Sequence, residues 1–306
     1  MRIFLTGATG YIGSAVLDAL LRAGHTVTAL VRSNDKAAAV AERGVHPVLG
    51  TLADPAGWLA SADAQDGYVL TGFDGSPNGP AIDRATIEHI IAASRKPRTT
   101  TAGPLRKRFI IYTSGIWVLG RTSEPAAEDA PVNPIAKVAW RPEHEQLVLS
   151  AATEHVRTVV VRPGVVYGGG QGLMGDVFKQ AINGLVRVVG DGANRWPLVY
   201  DRDLADLYAR LVASDDASGI YHANDEGDER VNDIVAAIAP YLSHIPDVRH
   251  VPIDEARTKM GALADALALD QVVRSPRARA LGWSPSLHSV GGNAARLLDE
   301  WRNARA

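Results

Sequence analysis

Three glycines in the stretch TGATGYIG, Gly7, Gly10 and Gly13, stand where the apolar run RIFLTG gives way to a segment with helical periodicity. Each has its own use at such a bend. Gly7 permits the tight turn, Gly10 lets the backbone approach a pyrophosphate, and Gly13 lets the following helix pack against the strand layer. Tyr11 and Ile12 open that helix, whose first N–H groups and positive dipole end would face the phosphates. The chemistry served by this spacing is the binding of a dinucleotide. The end of the next apolar run, ALVRS, tells which one. An acid there would accept from a ribose 2′-hydroxyl, but the sequence places Arg32 at that point with Ser33 beside it. A guanidinium can hold a 2′-phosphate bidentately, so NADP(H) is expected over NAD.

The elements that must carry these residues follow from periodicity. After RIFLTG, the segment Tyr11–Ala23 sets Ile12, Val16, Leu17, Leu20 and Leu21 on one helical face, and Gly24 supplies a stop. TVTALVR, HPVLG, GYVLTG, RFIIYTS and RTVVVRP read as strands. DKAAAVAER, AIDRATIEHIIAAS and Glu143–Ala152 read as helices between them. Strands apolar almost throughout, separated by amphipathic helices, argue for a parallel sheet covered on both faces. The expected fold is α/β, a doubly wound Rossmann sheet over residues 1–168, with residues 199–224 returning to it. A smaller α/β substrate lobe is expected over 169–306, with helices in GLMGDVFKQAI, VNDIVAAIAPYL and NAARLLDEW. The Pro-, Gly- and Thr-containing basic stretch at 95–108 reads as a solvated surface loop.

Composition narrows the function classes. At 46% hydrophobic and 22% charged residues with a formal net charge of −2, the 306-residue chain has nothing that selects nucleic acid or an anionic membrane. It has no cysteine, which removes disulfides, thiolate catalysis and cysteine-ligated metals. No apolar run approaches the ~20 residues of a membrane span. The chain enters a strand-like run from its first residues, so a signal peptide is not expected and a cytoplasmic location is. No metal is expected either: Glu143, His144 and Glu145 are adjacent on a helix and do not share a face.

Taken in order, these motifs resemble the extended short-chain dehydrogenase/reductase superfamily, the relatives of nucleotide-sugar epimerases and dehydratases. TGATGYIGSAV is similar to its opening. LGTLADP resembles its adenine-side segment, with Asp54 at the position that meets the adenine amino group. YVLTGFDGS resembles the fourth-strand segment, where Thr71, Gly72 and Phe73 would line the cofactor. IIYTSGIWVLG, with Thr113, resembles the fifth-strand motif, and VVVRPGVVYG the sixth, whose Pro163, Gly164 and Val165 would flank the nicotinamide. The resemblance implies a tyrosine acid/base, a lysine four residues on, and a substrate-orienting serine. Here those positions fall near Lys137, Arg141 and Gly115, the last with Ser114 just before it.

The altered set leaves Ser114 and Lys137 as candidate catalytic residues. Ser114 could orient a carbonyl or hydroxyl, and Lys137 could act as an acid only if burial lowered its pKa by several units. Arg141 could hold the nicotinamide-side ribose but cannot relay protons, because its guanidinium stays charged. Glu145 reads as a residue complementing the helix N-terminus. The reading that results is an NADP(H)-dependent oxidoreductase acting on a small carbonyl or alcohol compound, with a homodimer as a resemblance-based expectation. Its alternatives are a catalytically weak NADP(H)-binding sensor and a nucleotide-sugar epimerase or dehydratase.

Overall fold

A computed structural model describes residues 1–97 and 106–305; residues 98–105 of the basic loop expected at 95–108 lie outside them. In chain order the first elements are β1 (Arg2–Thr6), α1 (Tyr11–Arg22), β2 (Thr26–Val31), α2 (Asn34–Ala41), β3 (His46–Leu49), α3 (Leu59–Asp63), β4 (Gly67–Leu70) and α4 (Gly79–Arg95). They are followed by β5 (Arg108–Thr113), α5 (Arg141–Leu149), β6 (Val156–Pro163), β7 (Val165–Tyr167), α6 (Gly172–Ile182), β8 (Leu185–Val189), β9 (Leu198–Tyr200), α7 (Asp201–Ala213) and β10 (Gly219–Ala223). The chain continues through α8 (Val231–Ile238), β11 (Asp247–Val251), α9 (Ile253–Met260), α10 (Leu263–Leu267), α11 (Pro276–Ala280) and α12 (Ala294–Asn303).

Seven strands form one sheet in the order β10-β6-β5-β4-β1-β2-β3, and the pairings from β3 through β6 are all parallel. The order reverses direction between β1 and β4. That is the switch point at which doubly wound sheets leave a crevice at their strand carboxyl ends. The expected α/β Rossmann fold is the one observed.

The chain divides into two compact units. The first comprises Met1–Ser114, Glu143–Val161 and Ala205–Tyr221; the second comprises Gly115–Pro142, Arg162–Leu204 and His222–Ala306. In the first, Phe4, Trp58, Tyr68, Ile90, Ile110 and Val160 are part of one buried cluster. Two buried arginines finish helices there. Arg108 donates to the carbonyls of Ala93, Ser94 and Lys96 at the end of α4. Arg157 donates to those of Leu211, Val212 and Ala217 around the end of α7. A cation is favoured at a helix C-terminus, where carbonyls lack intrahelical donors. Burial nonetheless pulls the Arg157 pKa down to about 10.

The second unit has two small parallel sheets, β7 with β9 and β8 with β11. One buried cluster there brings Tyr167, Phe178, Ile234, Leu298 and Trp301 from four elements together with Trp196 from the loop before β9. Residues 115–142, expected in the first half's domain, pack instead as Ile116, Val118, Leu119 and Val138 around Val273. Among the described residues no helix is long and apolar enough to cross a membrane.

Candidate functional site

The turn from β1 into α1 is dictated by its glycines. Gly7 has φ +76°, and a Cβ there would sit 2.6 Å from the Gly72 nitrogen. Gly10 donates its N–H to the Gly7 carbonyl at 2.8 Å and occupies the cap position of α1. No side chain caps α1 and no carboxylate stands in its first turn. The positive end of a helix that begins in this way suits an anion. Thr71 Oγ1 donates to the Thr6 carbonyl at 2.7 Å, and the Gly72 N–H donates to Thr6 Oγ1 at 3.2 Å. These bonds lock the end of β4 beside the end of β1. Phe73 follows, 45% exposed.

At the end of β2, Arg32 is exposed and Ser33 caps α2, accepting from the Lys36 N–H at 3.4 Å. Asp74 is an acid that the sequence reading did not single out. Hydrogen bonds from Ser76 hold its carboxyl below the usual range, and the nearby Arg32 charge adds to that. Asp54 is exposed at the start of the short turn Pro55–Gly57 and makes no capping bond. A turn with no room for a Cβ at Gly7 or Gly13, leading into an uncapped helix, fits a dinucleotide.

Buried polar pairs gather at the end of β5. Thr113 Oγ1 and the Tyr208 hydroxyl share a hydrogen bond of 2.5 Å. Ser114 donates its hydroxyl to Glu145, and these residues are 7% and 3% exposed. Asp83 accepts from the Tyr112 hydroxyl at 2.8 Å and also bonds His144 Nδ1 at 2.8 Å. The adjacent residues of α5 therefore point three ways, since Glu143 pairs at the surface with Arg84 at 2.5 Å. Glu145 departs from the expected dipole role. It lies one turn into α5 on the inward face, where its carboxyl meets Ser114 instead of the helix start.

The remaining candidates belong to the second unit. Pro163, Gly164 and Val165 are buried, and a Cβ at Gly164 would come within 2.4 Å of the Pro197 carbonyl. Arg141 is half-buried with its guanidinium over the Trp140 ring, 4.5 Å from the centroid. Lys137 is exposed on the short turn Ala136–Val138, so the desolvation that an acid role requires is not provided. The same turn, with Ile135, Val189, Asn194 and Ile253, lines a cavity of about 670 Å³. Arg257 on its wall is engaged by Asp265 at 2.7 Å and by Asp254 at 3.0 Å.

Two titratable groups in this unit escaped the sequence reading. Asp225 is 2% exposed, accepts from the Tyr167 hydroxyl at 3.2 Å, and is pushed up to about 7 by burial. His222 is fully buried between the Arg162 guanidinium, 3.5 Å from Nε2, and the Arg274 carbonyl, 3.1 Å from Nδ1. Burial first, then Arg162, lowers its pKa to about 3. Among the described residues no three or more His, Asp or Glu side chains converge as a metal site.

A family model described as NAD dependent epimerase/dehydratase family matches residues 3–223. The uncharacterized protein C2A9.02 of Schizosaccharomyces pombe is 33% identical over 300 residues, which cover 95% of this chain and 96% of that protein. The 2-alkyl-3-oxoalkanoate reductase of Stenotrophomonas maltophilia is 30% identical over 210 residues, 65% of this chain and 62% of its own. The crystal structure of the human epimerase family protein SDR39U1 with NADPH aligns with a TM-score of 0.73 at 20% identity. It covers 98% of this chain and 99% of that one. Its likeness is one of fold.

Proposed function

This chain belongs to the NAD dependent epimerase/dehydratase family, and from that premise we propose that it is an NADP(H)-dependent oxidoreductase acting on a small carbonyl or alcohol compound. When bound, the nicotinamide supplies or removes the hydride, and the protein's share is to hold, orient and protonate. The observation that carries the reading is the cradle itself: a glycine turn under an uncapped α1, with Arg32 at the end of β2 where an acid would select NAD. Gly7, Gly10, Tyr11, Ile12 and Gly13 would take the pyrophosphate, Arg32 and Ser33 the 2′-phosphate, and Asp54 the adenine. Thr71, Gly72, Phe73, Thr113, Arg141, Pro163, Gly164 and Val165 would line the nicotinamide half. The substrate class follows the Stenotrophomonas reductase, whose name describes a ketone one carbon removed from a carboxyl.

Calorimetry and NADPH absorbance test the reading together. Wild-type protein should bind NADP+ more tightly than NAD+ and consume NADPH when given ethyl 2-methylacetoacetate. Arg32→Ala should weaken NADP+ by about 10- to 100-fold, the worth of a charge-assisted bidentate contact, while NAD+ binding changes by less than about 3-fold. Equal losses for both nucleotides would remove Arg32 from the 2′-phosphate. Arg141→Ala should raise the dissociation constants of NADP+ and NAD+ alike by about 10-fold, since both carry the ribose it would hold. An unchanged constant would place Arg141 elsewhere.

A further inference from the structure

We infer that Ser114 and Glu145 form the proton relay of this protein, with Ser114 the catalytic residue and Glu145 the positioning residue that orients its hydroxyl and reloads it. The inference rests on the oxidoreductase reading and supplies the proton donor that reading lacks. β5 lies next to β4, on the opposite side of β1 from β2. With Arg32 drawing the adenosine end toward β2, the other end of an extended dinucleotide laid across β1 runs toward the carboxyl ends of β4 and β5. Ser114 is the residue immediately after β5.

A carboxyl that is 3% exposed needs a donor, and the Ser114 hydroxyl at the end of β5 supplies one to Glu145. The neighbouring carboxyl, Asp83, is engaged by Tyr112 and His144. The other candidate donors do not offer this chemistry: Lys137 is exposed, and a guanidinium such as that of Arg141 cannot give up a proton.

A serine hydroxyl can accept one hydrogen bond while donating another, which is what a relay requires. In reduction, the carbonyl carbon gains hydride from the reduced nicotinamide nucleotide and the carbonyl π pair becomes a lone pair on oxygen. That oxygen takes the Ser114 hydroxyl proton. Ser114 Oγ takes the proton of the Glu145 carboxylic acid, which leaves the carboxylate that accepts from Ser114 in the structure, and a proton taken up from solvent restores the acid before the next turnover. Oxidation of an alcohol runs the same transfers backward.

The test uses the full-length protein with NADPH and ethyl 2-methylacetoacetate. Ser114→Ala and Glu145→Gln should each lower kcat by about 100-fold or more, with KM and the NADPH dissociation constant held within about 3-fold. The double variant should be no slower than the slower single one, because the two groups act as a unit. Glu145→Asp should recover part of the rate. Infrared spectra of the NADPH-bound protein, free of any turnover, should contain a protonated-carboxyl stretch that Glu145→Gln removes. Wild-type kcat in Glu145→Gln, additive losses in the double variant, or no such stretch would each overturn the relay. Wild-type protein that binds NADPH and shows the stretch, yet consumes no NADPH with the β-keto ester, would sink the oxidoreductase reading and the relay's role with it. Turnover that survives Glu145→Gln sinks the relay alone.

Discussion

Gly13→Ala is expected to weaken NADP+ binding by about 10- to 100-fold and to lower stability by about 1–3 kcal/mol, the range for overpacking a filled site. An added Cβ would lie 2.0 Å from the Gly7 oxygen and 2.6 Å from Thr71 Oγ1. Neither atom can give way cheaply, since the Gly7 carbonyl holds the Gly10 N–H at 2.8 Å and Thr71 is bonded to the Thr6 carbonyl. The start of α1 must therefore move off the turn, and the N–H groups that would face phosphate move with it. Gly24→Ala is the control. Its φ of +75° makes it costly by about 1 kcal/mol, but nothing lies within 4 Å of a Cβ there, so nucleotide affinity should hold. Calorimetry on both variants, with thermal melting alongside, separates the effects. Wild-type affinity in Gly13→Ala would show that phosphate does not sit at this turn.

The second large effect is on how stability depends on pH, and it comes from two buried groups with opposite signs. Asp225 titrates at about 7 in the folded chain against an ordinary value of 3.8. Its contribution is therefore fully present below about pH 4 and is lost as pH rises through 7. His222 titrates at about 3 against 6.5, so its contribution is present above about pH 6.5 and is lost as pH falls through 3. Between about pH 4 and 6.5 the two slopes oppose one another. Relative to wild type, urea denaturation of Asp225→Asn should gain a stability that rises with pH across that window. His222→Gln should show the reverse. Each difference should reach about 3 kcal/mol across the window, since one pKa unit is worth about 1.4 kcal/mol. Parallel curves for all three proteins would mean that neither group is buried in the charge state that the geometry implies.

The legible parts of this molecule were those written locally. Gly7, Gly10 and Gly13 fall within seven residues, and their spacing alone specifies the turn that the structure displays. The parallel sheet was equally legible, because strands such as RTVVVRP are apolar on both faces and the segments between them keep helical period. What stayed hidden were pairs made by distant residues. Asp83 meets His144 across 61 positions, Ser114 meets Glu145 across 31, and Tyr167 meets Asp225 across 58. No periodicity connects such partners. Glu145 was misread because an acid early in a helix has an ordinary explanation in the dipole, and only the packing of α5 shows which way it faces. The short strands β7, β8, β9 and β11, of three to five residues, also carry too little pattern to be separated from loop.

The threading of the polypeptide has a consequence for its birth. The first unit begins at the N-terminus but takes its last segment from Ala205–Tyr221, after the chain has twice left for the second unit and returned. During synthesis the ribosome thus delivers β1 through β6 long before α7 and β10, and the flank of β6 that β10 pairs with waits as an open sheet edge. An uncovered edge of this kind is a template for wrong partners, so nascent chains stalled near residue 200 should lean on chaperones that full-length ones no longer need.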